Sequence, residues 1–393
     1  MSRAVAVLAL GLALSSMNAA AQPAPLDLLS RSQIVALAGA AAHGELALVE
    51  SKPDGTMAQV TLVSFVHAPA AELRALVADV GGYVRFMPNL KQADFRRDER
   101  GHTVNTWRLE LPISTFAGRD EYLIDPDPLG PISFWSLDSL AHYRWDFVPV
   151  DGGTLLVQAG YADVLHANRF VKSFVRRQPS LEHGLGLAAQ YMMVSAVKKE
   201  AERVGCGQVS GAATRASSSA ALIALADRGQ VVVMRSREDG HLSEVSVIDR
   251  VYAPIDLVRE IIADPRAYKE FIAGVDTSTV TGKVADETTY EYEMSLPIVS
   301  WTSTFRMRVG QQSIDGAGLS GDLAGARYRW DLTARGMKET LVTYRANQPL
   351  ARGSLILSKL FEVDPSLEYG LNVAFALLPL RSVRGRAEGW ATR

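Results

Sequence analysis

The sequence predicts an α+β protein of two tandem repeats, each a curved antiparallel sheet wrapped around a long C-terminal helix. The pentapeptide YRWDF at 143–147 recurs as YRWDL at 328–332, segments of alternating apolar and polar residues follow one another in both halves, and each half ends in a long segment with an apolar stripe. Such alternation is typical of antiparallel strands with one buried face. A chain of 393 residues is also long for a single hydrophobic core, which favours two domains.

The repeat keeps its register along most of the chain, as an internal duplication requires. A shift of 185 positions places like segments on one another: Ala68-Pro69 on Ala253-Pro254, Ala78-Asp79 on Ala263-Asp264, Tyr83 on Tyr268, and Leu111-Pro112-Ile113 on Leu296-Pro297-Ile298. One residue is then gained, and a shift of 186 places Pro179-Ser180-Leu181-Glu182 on Pro365-Ser366-Leu367-Glu368. We therefore predict domains at 22–204 and 215–393, joined by a linker at 205–214. Few contacts are expected to cross this linker, so each domain is expected to fold separately.

Each repeat is predicted to open with a β-hairpin and a short helix. In the first repeat the hairpin strands are 45–50 and 59–67 with an Asp-Gly turn between them, which is a hairpin signal. The helix follows at 70–80, where Pro69 suits its beginning. Antiparallel strands are then predicted at 106–111, 116–124, 132–137, 143–147 and 155–162, with counterparts in the second repeat.

Each repeat is predicted to close with a long helix. Ser180 and Ser366 follow a proline and suit the N-cap position. The apolar stripe is expected to face the concave side of the sheet, because a helix with one apolar side buries that side. The stripe contains Leu185, Ala188, Ala189, Met192 and Ala196 in the first helix, and Leu371, Ala374, Phe375, Leu378 and Ser382 in the second. Pro379 is expected to kink the second helix.

The repeated pentapeptide is predicted to lie in a strand, so its aromatic and charged residues are expected on opposite faces. The set expected to face the long helix is Tyr143, Trp145 and Phe147, with Tyr328, Trp330 and Leu332 in the second repeat. Arg144 and Asp146 are predicted outside, either as a solvated pair or as contacts to the polar head of a ligand. The aromatic face either fills the core or leaves a largely apolar cavity of the kind that binds small molecules.

The first residues, MSRAVAVLALGLALSSMNAAAQPAP, have the charged, apolar and small-residue order of a secretory signal peptide. We predict a signal peptide at 1–21, export to a periplasm, and a soluble mature protein without a lipid anchor. Charge is nearly balanced, with 41 Lys and Arg against 43 Asp and Glu, so nucleic acid is not an expected partner. The single Cys206 is read as an incidental linker thiol or an intermolecular disulfide, and a monomer is expected.

The order of hairpin, Ala-Pro, short helices, antiparallel strands and long C-terminal helix resembles the START-like, or helix-grip, superfamily. The stretch ADVGGYVRFMPNLKQADF (78–95) is similar to a segment of its polyketide cyclase/dehydrase-like and coenzyme Q-binding subgroup, and its counterpart is ADPRAYKEFIAGVDTSTV (263–280). The resemblance covers both repeats. It implies a deep cavity between sheet and long helix that takes a hydrophobic ligand such as a lipid, sterol, quinone or aromatic polyketide. It implies no shared catalytic residue and no cofactor.

The candidate ligand-binding residues are the side chains predicted on the concave faces and helix stripes: Trp107, Phe116, Asp120, Tyr122, Trp135, Tyr143, Trp145, Leu185, Met192, Tyr292, Trp301, Phe305, Tyr328, Trp330 and Phe375. Asp120 is the one carboxylate among them, and Phe305 takes its place in the second repeat. Burial on an apolar face would raise the pKa of Asp120, which suits an acid, a base or an anchor for a ligand head group. An Asp that is neutralised by a nearby Arg is the structural alternative.

The seven His residues are scattered without metal-ligand spacing, so no metal site is expected. Segments 169–177 and 354–361 mix apolar with basic residues, and they either touch a membrane surface transiently, gate the cavity or form packed connecting helices. We predict a protein that binds or shuttles a hydrophobic small molecule without chemistry. The alternatives are an enzyme of the cyclase or dehydratase type, with Asp120 as its base, and a protein-interaction module.

Overall fold

The computed structural model describes residues 30–97, 103–111, 114–164, 172, 175, 179–204, 219–296, 299–352 and 354–389. The predicted signal peptide, the predicted linker and most of the basic segment 169–177 lie outside these residues. Among the described residues, no helix is both long enough and apolar enough to cross a membrane.

The first half contains eight described strands and three α-helices. In chain order they are α1 (Arg31–Ala41), β1 (Glu45–Ser51), β2 (Met57–Val66), α2 (Ala70–Ala78), a 3-10 helix (Val80–Arg85), β3 (Leu90–Arg97), β4 (Thr103–Leu111), β5 (Ser114–Ile124), β6 (Ile132–Ser136), β7 (His142–Val150), β8 (Gly153–Tyr161) and α3 (Pro179–Arg203).

The second half repeats this order. Its described elements are α4 (Ser219–Ala226), β9 (Gln230–Ser236), β10 (Leu242–Val251), α5 (Ile255–Ala263), a 3-10 turn (Pro265–Ala267), α6 (Tyr268–Phe271), β11 (Val275–Val284), β12 (Glu287–Leu296), β13 (Val299–Val309), β14 (Ser313–Gly321), β15 (Arg327–Ala334), β16 (Thr340–Asn347), α7 (Leu355–Val363) and α8 (Pro365–Ala387). The predicted α+β class and the two sheet-and-helix units are confirmed.

The beginnings of the long helices differ from the prediction by two residues. Asp364, not Ser366, is the N-cap of α8, and its carboxylate accepts a hydrogen bond of 3.0 Å from the backbone N–H of Ser366. Pro365 takes the first helical position, where its missing N–H costs nothing. In the first half α3 likewise begins at Pro179, so Ser180 lies inside it. Helix α8 continues through Pro379 to Ala387.

The described strands form one antiparallel sheet that spans both halves. Its order is β11-β12-β13-β14-β15-β16-β10-β9-β1-β2-β8-β7-β6-β5-β4-β3. The halves join where β1 pairs with β9, from Glu45 opposite Met234 to Val49 opposite Gln230. The expectation that few contacts link the two domains is therefore wrong, because their first strands are hydrogen-bonded to each other.

Two pairs of equivalent residues show that the halves are related by a pseudo-twofold axis. Ala47 pairs with Val232, and these positions are 185 residues apart, as the repeat requires. Gly184 and Gly370, 186 apart, face each other where α3 meets α8, and a β-carbon on Gly370 would lie 2.5 Å from the carbonyl oxygen of Gly184. An interface in which equivalent residues meet is isologous, like that of a symmetric dimer. The chain thus has the geometry of a dimer within one polypeptide.

Each long helix packs on the inner face of its half-sheet, which we define as the face toward α3 and α8. One large apolar cluster covers the inner faces of both halves and includes Leu187 and Val197 of α3 and Val373 and Leu380 of α8. A second cluster lies on the opposite face at the centre of the sheet, where Leu37 of α1 and Leu225 of α4 are buried. The pseudo-twofold axis therefore runs through a three-layered region of helix, sheet and helix.

Candidate functional site

The inner face of the first half carries a polar row beside an aromatic row. Strand pairing places Asn105 of β4 opposite Asp120 of β5, and Asp120 opposite Ser136 of β6. The next row contains Tyr122, Phe134 and Tyr143, whose ring centroids are 4.8 Å and 4.9 Å apart in succession. Cross-strand pairs lie close enough for their side chains to touch. The polar row therefore lies directly beside an aromatic wall.

Asp120 is 8% exposed on this apolar face. Burial raises its pKa to about 7, the Trp107 indole N–H offsets part of this effect, and the negative charge of Asp138 adds to it. The neighbouring Arg119 pairs with Asp138 at 2.8 Å, so its charge is engaged outside the groove. Asp120 consequently changes its protonation state close to neutral pH.

Two further polar atoms of β4 are buried beside Asp120. The Oδ1 atom of Asn105 has no hydrogen-bond partner in the protein, and the Nε1–H of Trp107 lies close enough to the Asp120 carboxylate to stabilise its charge but makes no hydrogen bond of ordinary geometry. The Trp107 ring lies over Gly118, where a β-carbon would be 2.9 Å from its Cζ2 atom. An unpaired buried polar group costs about 1–3 kcal/mol. We call Asn105, Trp107 and Asp120 the head site.

A second polar pair lies deeper, between β8 and α3. Gln158 and Gln190 are both fully buried. The Gln190 amide nitrogen donates to the carbonyl oxygen of Gly160 at 3.0 Å, and the Gln158 amide nitrogen lies 3.8 Å from the sulfur of Met193. Both side-chain carbonyl oxygens lack a protein partner. The first-half interior is thus more polar than a filled core requires.

The second half replaces these polar residues with apolar or aromatic ones. At the repeat offsets Tyr290 stands for Asn105, Phe305 for Asp120, Tyr344 for Gln158 and Ala376 for Gln190. The Tyr290 and Phe305 rings stack 5.7 Å apart. The Tyr290 hydroxyl is satisfied by the hydroxyl of Tyr328 at 3.0 Å.

The second half encloses a small aromatic cavity of about 80 Å³. Typical small-molecule sites measure about 300–1,000 Å³. Six of the predicted ligand-binding residues line this cavity together: Tyr292, Trp301, Phe305, Tyr328, Trp330 and Phe375. These six residues therefore lie together around one cavity, but the space that they leave is too small for a lipid or sterol.

The repeated tyrosine leans in opposite directions in the two halves. In the first half Tyr143 lies against its cross-strand neighbour Gly160, where a β-carbon would be 2.6 Å from its Cδ1 atom. In the second half Ala346 takes the place of Gly160, and Tyr328 instead lies over Gly316. A glycine next to the ring thus decides where each tyrosine packs.

The charged residues of the repeated pentapeptide lie on the outer face of the sheet and form ion pairs there. Arg144 and Asp146 form an ion pair of 2.7 Å, and Arg329 and Asp331 form one of 2.8 Å. Both pairs lie on the face away from the long helices, as the alternation predicted. They bridge neighbouring positions of one strand, and they lie on the opposite side of the sheet from the head site.

Three predicted site residues are misplaced. Trp135 lies on the outer face, because it pairs with Glu121 and His142, whereas Phe134 faces the groove. Leu185 packs in a cluster with Leu181 and Ala374 at the contact of α3 with α8.

The third misplaced residue is Met192. Met193, and not Met192, reaches Gln158; one residue along an α-helix turns the side chain by about 100°. The structure therefore corrects the α3 stripe at Leu185 and Met192, whereas Ala196 of the stripe belongs to the inner-face cluster, as do Phe375 and Leu378 of α8.

The remaining first-half candidates lie on the inner face. Trp145 is 1% exposed and belongs to the large apolar cluster. Trp107, Phe116 and Tyr143 are only half-buried, whereas Trp301, which stands at the position of Phe116, is 1% exposed. Trp107 and Tyr143 are as half-buried as their counterparts Tyr292 and Tyr328, so only the Phe116 position is more exposed in the first half.

No model of a protein family matches this sequence, and no curated protein matches it significantly. Solved structures of START-superfamily proteins are similar to it. An aromatase/cyclase from a Streptomyces species is 18% identical, covers 38% of this chain and 94% of its own, and has a TM-score of 0.33. A di-domain aromatase/cyclase of the steffimycin pathway is 16% identical, covers 84% and 98%, and has a TM-score of 0.31. A STAR-related lipid transfer protein from Xanthomonas axonopodis is 15% identical, covers 40% and 93%, and has a TM-score of 0.30.

Sequence reasoning missed Asn105, Gln158 and Gln190. The comparison of the two repeats could have identified them, because each of these polar residues is replaced by an apolar or aromatic residue at the equivalent position of the second repeat. Among the residues described, no group of three or more His, Cys, Asp or Glu side chains is arranged to hold a metal ion.

Proposed function

We propose that the first half binds one small, largely apolar molecule in the groove between its inner face and α3, and that this binding involves no chemistry. The observation that carries the proposal is the head site, where Asn105 presents an unpaired oxygen, and Trp107 an N–H without a hydrogen bond of ordinary geometry, beside the aromatic wall. Small-molecule sites combine an apolar lining with a few placed polar groups. A ligand that pairs these atoms would recover the free energy lost by burying them.

The second half then has a structural role. Its cavity of about 80 Å³ and its stacked Tyr290 and Phe305 leave little room for a guest. It covers one edge of the first-half sheet through β9 and supports α3 through α8. The proposal therefore assigns one ligand to the chain, in the first half.

Acid-base chemistry at Asp120 is a second candidate, and its pKa of about 7 is the observation that favours it. A general base works best with a pKa near the working pH. Asn105 lies directly opposite Asp120 and Trp107 approaches it, so a bound molecule would meet an ionisable oxygen and two fixed polar groups together.

A transplant of the second-half residues into the first half tests the binding proposal. The double variant Asn105→Tyr with Asp120→Phe should fill the head site while keeping the fold, because the same pair stacks on the same strands of the second half. Native mass spectrometry of the full-length protein, followed by solvent extraction, should show one bound apolar molecule for the wild type and none for the double variant. The control variant Tyr290→Phe, at the position of Asn105 in the second half, should retain the molecule.

The outcome separates the two candidates. A wild-type protein that carries no extractable molecule, or a double variant that retains it, would contradict binding at this site. For the enzyme candidate, Asp120→Asn should retain binding and lose turnover of the extracted molecule. If the extracted molecule is recovered unchanged after incubation with the wild type, the enzyme candidate fails and the binding proposal stands.

Export is also part of the proposal, and it is supported by the signal-like first residues. Fractionation of cells that express the full chain should place the protein in the periplasmic fraction, with a mass that corresponds to cleavage after Ala21. Recovery of the uncleaved chain from the cytoplasm alone would contradict it.

A further inference from the structure

We infer that the molecule bound by the first half carries a hydroxyl group, alcoholic or phenolic, that occupies the head site. This inference rests on the proposed function and narrows its ligand class. It depends on the hydrogen-bonding capacity that the three head-site residues leave unused.

The three groups converge on one place. Asn105 lies directly across the strand pair from Asp120, and the Trp107 indole N–H approaches the same carboxylate. Asn105 and Asp120 are 4% and 8% exposed. Since Asn105 and Trp107 are two residues apart on β4, their side chains point to the same face. A single functional group of a ligand can therefore meet all three.

The head site offers both a hydrogen-bond acceptor and a hydrogen-bond donor to a ligand. The Asn105 amide interacts with the hydroxyl of Tyr122 through its N–H side, which leaves its Oδ1 atom as an unpaired acceptor. The Trp107 Nε1–H lies near the Asp120 carboxylate but makes no hydrogen bond of ordinary geometry, and indole nitrogen can only donate. The site thus needs a partner that both donates and accepts at one position.

This requirement separates the common functional groups. A ketone accepts from Trp107 but leaves the Asn105 oxygen unpaired. A carboxylate does the same and also meets the charge of Asp120 above its pKa. An ammonium group donates to Asn105 and Asp120 but offers nothing to Trp107. A hydroxyl group donates once and accepts as well, so it satisfies both atoms by donating to Asn105 Oδ1 and accepting from Trp107, and it also accepts from the Asp120 carboxyl group when that group is protonated.

The second half supports this assignment by contrast. Its residues at the same positions are Tyr290, Tyr292 and Phe305. The Tyr290 and Tyr328 hydroxyls bind each other at 3.0 Å, so there a protein hydroxyl occupies the part of the inner face where the first half leaves the Asn105 oxygen unpaired.

A series of probes on one aromatic scaffold tests the inference with the full-length protein. Naphthalene, 2-naphthol, 2-acetylnaphthalene, 2-(aminomethyl)naphthalene, which is an ammonium ion at pH 7, and 2-naphthoate share the same rings and differ in the group presented to the head site. Isothermal titration calorimetry at pH 7 should show 2-naphthol binding about tenfold more tightly than naphthalene, the gain expected from one or two net hydrogen bonds. The ketone, the amine and the carboxylate should each bind more weakly than 2-naphthol.

Matched variants assign the preference to the head site. Asn105→Leu should reduce the advantage of 2-naphthol over naphthalene from about tenfold to about twofold or less, with little change in the affinity for naphthalene. Tyr290→Phe, which removes a hydroxyl at the same position of the second half, should leave the advantage unchanged.

The results of the probe series separate the hydroxyl inference from the proposed binding groove. Equal binding of naphthalene and 2-naphthol, or tighter binding of the ketone or the carboxylate, would overturn the hydroxyl inference and leave the proposed apolar groove intact. Absence of binding for all five probes would contradict both. The probe series on the wild type answers the question even if Asn105→Leu does not fold.

Discussion

Asp120 illustrates how a single buried carboxylate links stability to pH. Burial raises its pKa in the folded protein to about 7, from 3.8 in the unfolded chain. The folded state therefore holds a proton that the unfolded state releases. Stability from this group is complete below about pH 4, falls as the pH rises from about 4 to about 7, and is constant above that.

The first prediction compares the wild type with Asp120→Asn. The free energy of unfolding, measured by urea titration, should be similar for the two proteins at pH 4. At pH 8 the variant should be more stable by up to about 4 kcal/mol, because an amide avoids the cost of burying a charge. Other titrating groups affect both proteins equally and cancel in the difference. A difference that does not change between pH 4 and pH 8 would show that Asp120 titrates normally.

The second prediction concerns the glycine beside Tyr143. Gly160→Ala should destabilise the protein by about 1–3 kcal/mol, because the new methyl group would clash with the backbone carbonyl oxygen of His142 and lie 2.6 Å from the Tyr143 ring, and such overpacking forces both to move. The second half provides the natural control, since it tolerates Ala346 beside Tyr328. Urea denaturation measures the change. A neutral effect would mean that Tyr143 can adopt the position of its counterpart without cost.

At the scale of elements, the contact of α3 with α8 depends on two glycines. A β-carbon on Gly184 would lie 2.6 Å from the β-carbon of Ala374, and it would also meet the backbone of Gly370. Backbone atoms cannot turn aside as a flexible side chain can, so a methyl group here must push the helices apart.

The third prediction compares alanine substitutions at two glycines of α3. Gly184→Ala should lower the free energy of unfolding by about 1–3 kcal/mol, although alanine favours a helix by about 1 kcal/mol over glycine. Gly186→Ala, on the same helix, should be neutral or stabilising, since its new methyl group meets only the terminal atoms of Met57. Equal effects for both substitutions would contradict the close helix contact.

The order and type of most elements were predictable from the sequence because alternation and the repeat gave two independent readings of each strand. The face on which Trp135 lies could not be predicted from the repeat, because the offset between equivalent residues changes between β5 and β7. Strand pairing equates Phe134 with Gly316 and Trp135 with Ala317, three residues away from the Ser320 that a constant offset of 185 requires. A three-residue slip, like a one-residue slip, moves a side chain to the other face of a sheet.

The prediction for Leu185 in the α3 stripe was wrong for a different reason. Leu185 is apolar because α3 packs against α8 as well as against the sheet, so the helix buries two sides. An apolar stripe reveals that a surface is covered but not which element covers it. Two of the three head-site residues, Trp107 and Asp120, were predicted from the sequence, whereas Asn105 is an ordinary strand residue until strand pairing places it opposite Asp120.

At the scale of the whole molecule, the duplication joins two similar units across a shared axis and then differentiates them. The first half buries Asn105, Asp120, Gln158 and Gln190, whereas the second half has Tyr290, Phe305, Tyr344 and Ala376 at the equivalent positions. Apolar and aromatic side chains at these positions avoid the cost of burying polar groups without partners. Under the proposed function, the first half binds the ligand and the second half contributes stability.

The last prediction concerns the halves expressed alone. Residues 22–204 alone would expose the edge of β1, which pairs with β9 in the whole chain, and the side of α3 around Gly184 that packs on α8. Unpaired edges and apolar surfaces favour self-association. Because Ala47 and Gly184 lie on the pseudo-twofold axis, a second copy of the same half can take the place of its partner. Size-exclusion chromatography with light scattering should therefore show residues 22–204 as a dimer, and Gly184→Ala should weaken that dimer. A soluble monomer that unfolds cooperatively with the stability of the full chain would show instead that the two halves are independent domains and that the shared sheet contributes little to folding.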